Sequence, residues 1–594
     1  MTAEDHPSQQ PGKARGKNKR IIYGVEATPS IPLWFVFGLQ QTVMCITGTL
    51  SIPFLITRQI CASHLTDVTA RLLSVSFFMC GVATLLQDTI GIRLPIIQGG
   101  SHTFIPPIVA MMSLKKWECP ADDIAAGNET MEAAWMPRIR EIQGNLILAS
   151  LTQVVLGCTG LIGFLLRFIG PLTIAPTISL IGLSLTVVVN DFSKSHWGVA
   201  FLSMCLILMF SLFLGRFKPP VPSFTRAKGC HISRYPIFQL APVLLAIGLS
   251  WLFCHVLTIT DVFPNNATSP GYLARTDAAS RLEAIDNAPW FYFPYPFQFG
   301  MPTFSAAGYV GLLAATISSV IESIGDYFAA ASVSDAPPPP PHAINRGIAI
   351  EGFGSIISAL VGAGHATTSY SGNVGAIAVT KVASRRVFQT AGVLLVLCGL
   401  VGKFGAVITL IPEPIIGGLN AVLLGMVAAV GISTLQYTDL SSSRNLTILG
   451  LSLMLGLGIP QWIYANPDAI HTGSTELDQV ISVLLGTATF VGGFVGCLLD
   501  NIVPGTLEER GVTKWRQKLV GTNDGPSHVD EMKLYDFPFV MKYFRRIACC
   551  AYVPFMPTFS KNLCTAKNSD DGHENVEKQP NNKPVETKVT EQRL

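Results

Sequence analysis

Stretches of mainly apolar residues, each close to the ~20 needed to cross a hydrocarbon layer of ~30 Å, follow one another along this chain from Pro32 onward. Hydropathy marks about fourteen of them, starting near Pro32, Thr66, Leu94, Asn145, Gly170, Trp197, Tyr235, Ser305, Ile348, Gly364, Thr390, Pro414, Asn445 and Asp478, some only marginally apolar or too short to span. The pattern predicts an all-α polytopic membrane protein. Two segments break it in the same way. Segment three opens with Gln98, Gly99, Gly100, Ser101, His102, Thr103 and Phe104 and then meets Pro106 and Pro107. Segment ten runs from Gly364 through His365, Thr367, Thr368, Ser369, Tyr370, Ser371, Gly372 and Asn373 to Gly375. Each is third in a set of seven, the arrangement expected of two inverted repeats with a binding site between discontinuous helices.

Composition agrees with a membrane class. Of 594 residues 49% are hydrophobic and 13% charged, against about 25% charged in a soluble domain. A net charge of +3 is too small to suggest nucleic acid as a partner. Thirteen cysteines are scattered without a CxxC spacing, so no metal site is expected. Cys61 and Cys119 fall in segments placed outside, where a disulfide can form, although connectivity is not readable from sequence.

Charge then sets the orientation. The N-terminus (Lys13, Arg15, Lys17, Lys19, Arg20) is basic and reads as a retained cytoplasmic tail. Even-numbered loops should then be cytoplasmic, and they carry the basic residues: Arg216, Lys218, Arg226, Lys228 and Arg234 after segment six, Lys381, Arg385 and Arg386 after segment ten. Glycosylation sequons at Asn128 and Asn266 fall in the two long loops that this count puts outside. A third, at Asn445, lies at a cytoplasmic helix start and should stay unmodified. On this reading residues 1–31 form a cytoplasmic tail and 32–215 hold segments one to six of the first repeat. A basic cytoplasmic loop (216–234), segment seven closing the first repeat (235–258) and an extracellular loop (259–304) follow. Residues 305–502 hold segments eight to fourteen, and 503–594 are cytoplasmic and disordered after about 565, where the composition cannot bury enough apolar area. The run Pro337 to Pro341 reads as a stiff connector that forms no helix.

Candidate chemistry sits where the apolar pattern fails. Irregular backbone inside a membrane is tolerable only where it lines a cavity, and a half-helix starting there points unpaired N–H groups and a positive dipole end at whatever it meets. An isolated glycine would be explained by close helix packing; the matched placement and the polar company argue for a site. Segment eight adds Glu322 and Asp326 on one helix face. A carboxylate at mid-membrane costs about 2.5 to 3.5 kcal/mol on the permissive insertion scale, so something must reward it: substrate N–H donors, Na⁺ or a proton. The alternative is a half-buried surface helix with Asp326 near its cytoplasmic end. Glu351 and Lys403 are weaker cases that can be structural.

At these residues the sequence resembles the nucleobase–ascorbate transporter family over nearly all of its membrane portion. The family signature is matched by Asn373, Gly375, Thr380 and Lys381, and the stretches 321–327, 337–347 and 499–511 look like the animal sodium-coupled branch. The resemblance implies fourteen segments in core and gate domains, an elevator-like movement and a homodimer at the plasma membrane, with Na⁺ as coupling ion and no other cofactor or metal. It implies that Glu322 binds substrate, that Ser371, Gly372 and Asn373 help through backbone and side chain, and that Ser101, His102, Thr103 and Phe104 complete the pocket. Asp326 and Gln41 are the implied sodium ligands. Two departures bear on mechanism: Gly372 stands where the family has Gln, Glu or Pro, and Gln41 follows Gln40 where the family has histidine.

Pocket chemistry favours a nucleobase (uracil, thymine, hypoxanthine, guanine, xanthine) over the alternative, L-ascorbate. A planar base suits Glu322 as acceptor, backbone amides as donors, and Phe104 or Tyr370 for stacking. His102 and His365 are also readable as satisfied structural residues. No HExxH or GxSxG pattern supports an enzyme. A channel would need a continuous polar pore, and a non-transporting sensor on the same scaffold is the reading from another class.

Overall fold

The computed structural model describes residues 21–63, 65–119, 128–162, 168–225, 229–234, 236–266, 269–513, 532–537 and 553–556. The basic tail up to residue 20 and the chain beyond 556 lie outside the described residues.

Apolar runs become helices because a helix satisfies its backbone N–H and C=O groups within one segment. First come α1 (Ile31–Thr49), α2 (Ser51–Gln59) and α3 (Thr66–Thr89). Segment three is a short strand β1 (Gln98–Gly100), a 3-10 turn (His102–Phe104) and the half-length helix α4 (Ile105–Met112). There follow α5 (Asn128–Thr159), α6 (Pro171–Ser184), α7 (Thr186–Ser193) and α8 (Trp197–Leu208). The basic loop is not irregular: it holds an antiparallel hairpin, β2 (Pro220–Thr225) and β3 (Gly229–Arg234). Next are α9 (Ile237–Leu240), α10 (Pro242–Ile259) and, inside the long second loop, α11 (Ala279–Asn287).

The second half repeats the theme with α12 (Ala306–Val333), α13 (Pro341–Leu360), β4 (Thr367–Ser369) and the half-length α14 (Ser371–Thr380). It closes with α15 (Arg385–Leu400), α16 (Gly402–Ile408), α17 (Glu413–Ser433), α18 (Ser443–Ala465), α19 (Thr475–Gly486) and α20 (Ala488–Ile502). Among the described residues eight helical stretches are long and apolar enough to cross a membrane, or ten if the pairs bent by 84° and 79° each count as one span. Pro341 departs from expectation by opening α13. The first helical position needs no N–H donor and suits proline's fixed φ, so the helix begins ahead of Ile348.

Packing sorts the helices into two groups. α1 to α5 pack with α12 to α16, most extensively α5 on α13 and α3 on α15; α6 to α10 pack with α17 to α20. α4 and α12 also touch α19, so the broken segment and the acidic helix lie where the groups meet. Cys61 and Cys119 are joined as a disulfide across 58 residues. The sequon Asn445 is fully buried, and its amide donates to the carbonyls of Asp439 and Glu509, each at 2.8 Å. A short C-terminal piece docks under α13, where the buried Tyr535 donates to Pro337 O (2.5 Å) and Arg346 donates to Tyr535 O (2.6 Å).

Candidate functional site

The two broken segments solve each other's backbone problem. β1 and β4 pair antiparallel, Gln98 opposite Ser369, Gly99 opposite Thr368 and Gly100 opposite Thr367. The pairing continues at both ends, with Ser101 N donating to Ala366 O and Tyr370 N to Ile97 O, each at 3.0 Å. Side chains satisfy the outer edges: Gln98 N donates to Thr84 Oγ1 (2.9 Å) and Thr367 N to Ser355 Oγ (3.1 Å). Extended chain inside the fold is thus hydrogen-bonded without water, as membrane depth demands. Gly364 sets up the turn into β4 with a φ of +75°, a conformation that costs a residue with a Cβ.

From this short ladder the two half-helices start, and α12 passes beside both starts. Thr103 Oγ1 donates to Glu322 Oε2 at 3.2 Å. One turn on, Asp326 accepts from Ser369 Oγ (2.9 Å) and Ser371 Oγ (2.6 Å). Each carboxylate is therefore tied to a different broken segment. The first-turn amides of Ser371, Gly372 and Asn373 have no intrahelical acceptor. Glu322 is half-buried, Ser371 and Gly372 are exposed, and a Cβ at Gly325, Gly372 or Gly375 would meet nothing within 4 Å. The face is open at these three glycines. Ser101 Oγ, fully buried, has no hydrogen-bond partner among the described residues.

The tyrosine between the segments is held by close approach. Tyr370 OH donates to Gly100 O at 2.7 Å and meets Thr49 Oγ1 at 3.0 Å, and its ring lies so near Gly99 that an added Cβ would come within 2.2 Å. Behind the face, buried Glu351 accepts from Ser323 Oγ (2.8 and 2.9 Å), Gln153 Nε2 (3.1 Å), Tyr327 OH (3.2 Å) and Gln98 Nε2 (3.4 Å). Its donors are all neutral. Glu351 is the hub joining α5, α12, α13 and β1, a role that the sequence reading left open.

A permease family profile matches residues 33–465 of this chain. The chain is 46% identical over 543 residues to mouse "Solute carrier family 23 member 2", covering 91% of itself and 83% of that protein. It is 32% identical to Arabidopsis "Nucleobase-ascorbate transporter 1", covering 88% of itself and 96% of that relative. The chain belongs to the nucleobase–ascorbate transporter family. It is a multi-pass membrane transporter and not an enzyme. Among solved structures it is similar to the mouse anion transporter Slc26a9 at 13% identity and a TM-score of 0.45, over 76% of this chain and 70% of that one.

Within this family member the expected residues are not all equivalent. Glu322, Thr103, Ser371, Gly372 and Asp326 gather at the two half-helix starts. Asn373 is buried and turns its amide to Gln41, donating to Oε1 (2.7 Å) and O (3.0 Å), so Gln41's carbonyl oxygen is already engaged. Gln41 and Asn373 lock α1 to α14 rather than lining the open face. Phe104 is fully buried among apolar residues including Ile105 and Ile108, which leaves Tyr370 as the ring nearer the opening. His102 Nε2 meets Ser51 Oγ at 2.9 Å, and His365 is buried against Ser76 Oγ (2.8 Å). Lys403 lies apart, donating to the carbonyls of Ile285 and Asp286. Of the sequon residues, Asn266 is exposed in its loop, and Asn128 is the first residue of α5.

Proposed function

We propose that this transporter is a secondary active carrier that takes up nucleobases, such as uracil, thymine, hypoxanthine, guanine and xanthine, coupled to Na⁺. The observation that carries the reading is the pair of carboxylates on α12, each hydrogen-bonded to a different broken segment. In the proposed mechanism Glu322 accepts from ring N–H groups of the base, and the first-turn amides of α14 donate to its carbonyls. Asp326 supplies oxygen to the cation, while Gln41, the other ligand the family resemblance implies, gives its carbonyl oxygen to Asn373 in this state. The helix group containing α12 then moves as a core against the gate of α6 to α10 and α17 to α20, in a fourteen-segment, homodimeric elevator at the plasma membrane. The Cys61–Cys119 disulfide supports placing that end of the molecule outside, since such bonds persist in oxidising surroundings.

Ascorbate is the second reading, favoured by the name of the Arabidopsis relative, which joins both substrates. Charge argues the other way. Two carboxylates lie at the half-helix starts, Glu322 half-buried and Asp326 buried, and the residues that converge there (Glu322, Asp326, Thr103, Ser369, Ser371) include no Lys or Arg. A neutral base with N–H donors fits them better than an anion does.

Uptake of radiolabelled uracil, hypoxanthine and ascorbate by a transport-deficient cell expressing the chain, with sodium or choline outside, tests the reading. Saturable, sodium-dependent uptake of the bases is expected. Uptake of ascorbate alone would reverse the substrate assignment, and binding without flux would make the protein a sensor.

A further inference from the structure

One arginine bridges the two helix groups at the end of the molecule that carries the disulfide. Arg58, in the last turn of α2, donates through Nη2 to Glu413 Oε2 at 3.0 Å, and its Nη1 lies 3.7 Å from Asp191 Oδ2. The same guanidinium donates to Asp191 O (3.4 Å) and lies over the Phe192 ring, 3.9 Å from its centroid. Glu413 opens α17, and Asp191 and Phe192 belong to α7. Every one of these partners therefore sits in the opposite helix group from Arg58. The contact is only 21% exposed on both the Arg58 and the Glu413 side chains, so solvent screens it less than an ordinary surface pair. Asp191 is further held by Lys194 at 3.1 Å. A second bridge at the same end, Lys115 to Asp468 at 2.6 Å, joins the residues after α4 to the α18–α19 connection, but at 64% and 66% exposure it is the weaker of the two. Beside Arg58 lies a polar cavity of about 380 Å³ whose walls come from both groups, Leu55 and Gln59 on one side, Val188 and Lys194 on the other.

We infer that Arg58 is the outer latch of the transport cycle: its pairing with Glu413 and Asp191 holds the two helix groups closed at the disulfide end and has to break before the site opens on that side. The inference rests on the proposed movement of one group against the other. It does not depend on which substrate is carried. An ion pair half-buried on both partners and reinforced by an aromatic face would otherwise be a costly way to hold two helices that apolar contact could hold. A bond that forms in one state and opens in another biases the equilibrium between them by its own free energy.

The test uses Val188→Cys, a buried position on the cavity wall, in full-length protein on intact cells. The rate of its reaction with a membrane-impermeant methanethiosulfonate is measured against the chain lacking that change. Arg58→Gln and Glu413→Gln should each speed the reaction by roughly fivefold, the effect of an ion pair worth about 1 kcal/mol. The exchange Arg58→Glu with Glu413→Arg, made together with Asp191→Asn so that the new carboxylate does not face Asp191, should bring the rate back toward that of the parent. Parental rates in both single variants at normal surface expression would overturn the latch, as would a charge exchange that leaves the cysteine as reactive as in the singles. If one single variant fails to reach the surface, the other and the exchange decide. Loss of all base uptake in the parent with these accessibility changes intact would reject the proposed substrates and leave the latch standing.

Discussion

Thr103 donates its hydroxyl to Glu322 over 3.2 Å, although 219 residues separate them in sequence. The contact ties the first half-helix start to the acidic helix, while Ser369 and Ser371 tie the second to Asp326. Five polar side chains thus converge from three segments that hydropathy alone would call membrane-embedded. Such convergence is costly in lipid unless a polar guest or ion shares it, and each of the following expectations probes one part of it.

Gly99→Ala should disable the site without touching a carboxylate. The new Cβ would sit within 2.2 to 2.5 Å of the Tyr370 ring, which has to leave its bonds to Gly100 O and Thr49. Overpacking of this kind costs about 1 to 3 kcal/mol. A lowered melting temperature in detergent together with lost uptake is the expected outcome, whereas Gly372→Ala, with nothing within 4 Å of its Cβ, should melt like the parent.

Glu351→Gln should destabilise the fold more than Ser323→Ala does. Glu351 accepts from Ser323, Gln153, Tyr327 and Gln98, and an amide presents a donor where only donors face it. The mismatch leaves buried groups unpaired at about 1 to 3 kcal/mol. Equal melting temperatures for the two variants would count against the hub.

Glycan should attach at Asn128 and Asn266 and nowhere else among the three sequons. Asn445 spends its amide on two backbone carbonyls and is fully buried. Asn128→Gln with Asn266→Gln should therefore give a protein whose gel mobility no longer changes with a peptide N-glycosidase; a remaining shift would point to Asn445 and reverse the orientation.

The loop after α10 should loosen in acid. Hydrogen bonds from Arg275 hold the Asp277 carboxyl below its usual pKa, at 2.8 Å to both oxygens. Because the folded value lies under the unfolded one, the anchor is whole above the unfolded carboxylate value of ~3.9 and is lost as pH falls through the folded value. Limited proteolysis between residues 259 and 304 should accelerate over that window in the parent, and Arg275→Ala should be cut quickly at neutral pH as well.

How much of this was legible in the sequence depends on the range of the interaction. Glu322, Asp326 and both broken segments announce themselves because polar residues in an apolar run are conspicuous one residue at a time. The hairpin at β2 and β3 was missed because a proline- and lysine-rich loop has no alternating apolar pattern to betray a strand. Phe104 reads as a stacking ring because a planar base and the family resemblance ask for one there, yet the 3-10 turn places it in the apolar core. The Arg58–Glu413 pair spans 355 residues and follows from no local signal. Glu351 carries the same signal as Glu322, an acid in an apolar segment; only the fold shows that its partners are neutral donors on three other elements.

The most direct measurement is base uptake by Glu322→Gln at matched surface expression. The change keeps the shape and removes an ionised acceptor, forfeiting a charge-assisted bond of about 1.5 to 3 kcal/mol. A fall of roughly ten- to hundredfold in apparent affinity is predicted. Uptake indistinguishable from the parent, in rate and in half-saturating concentration, would contradict the account.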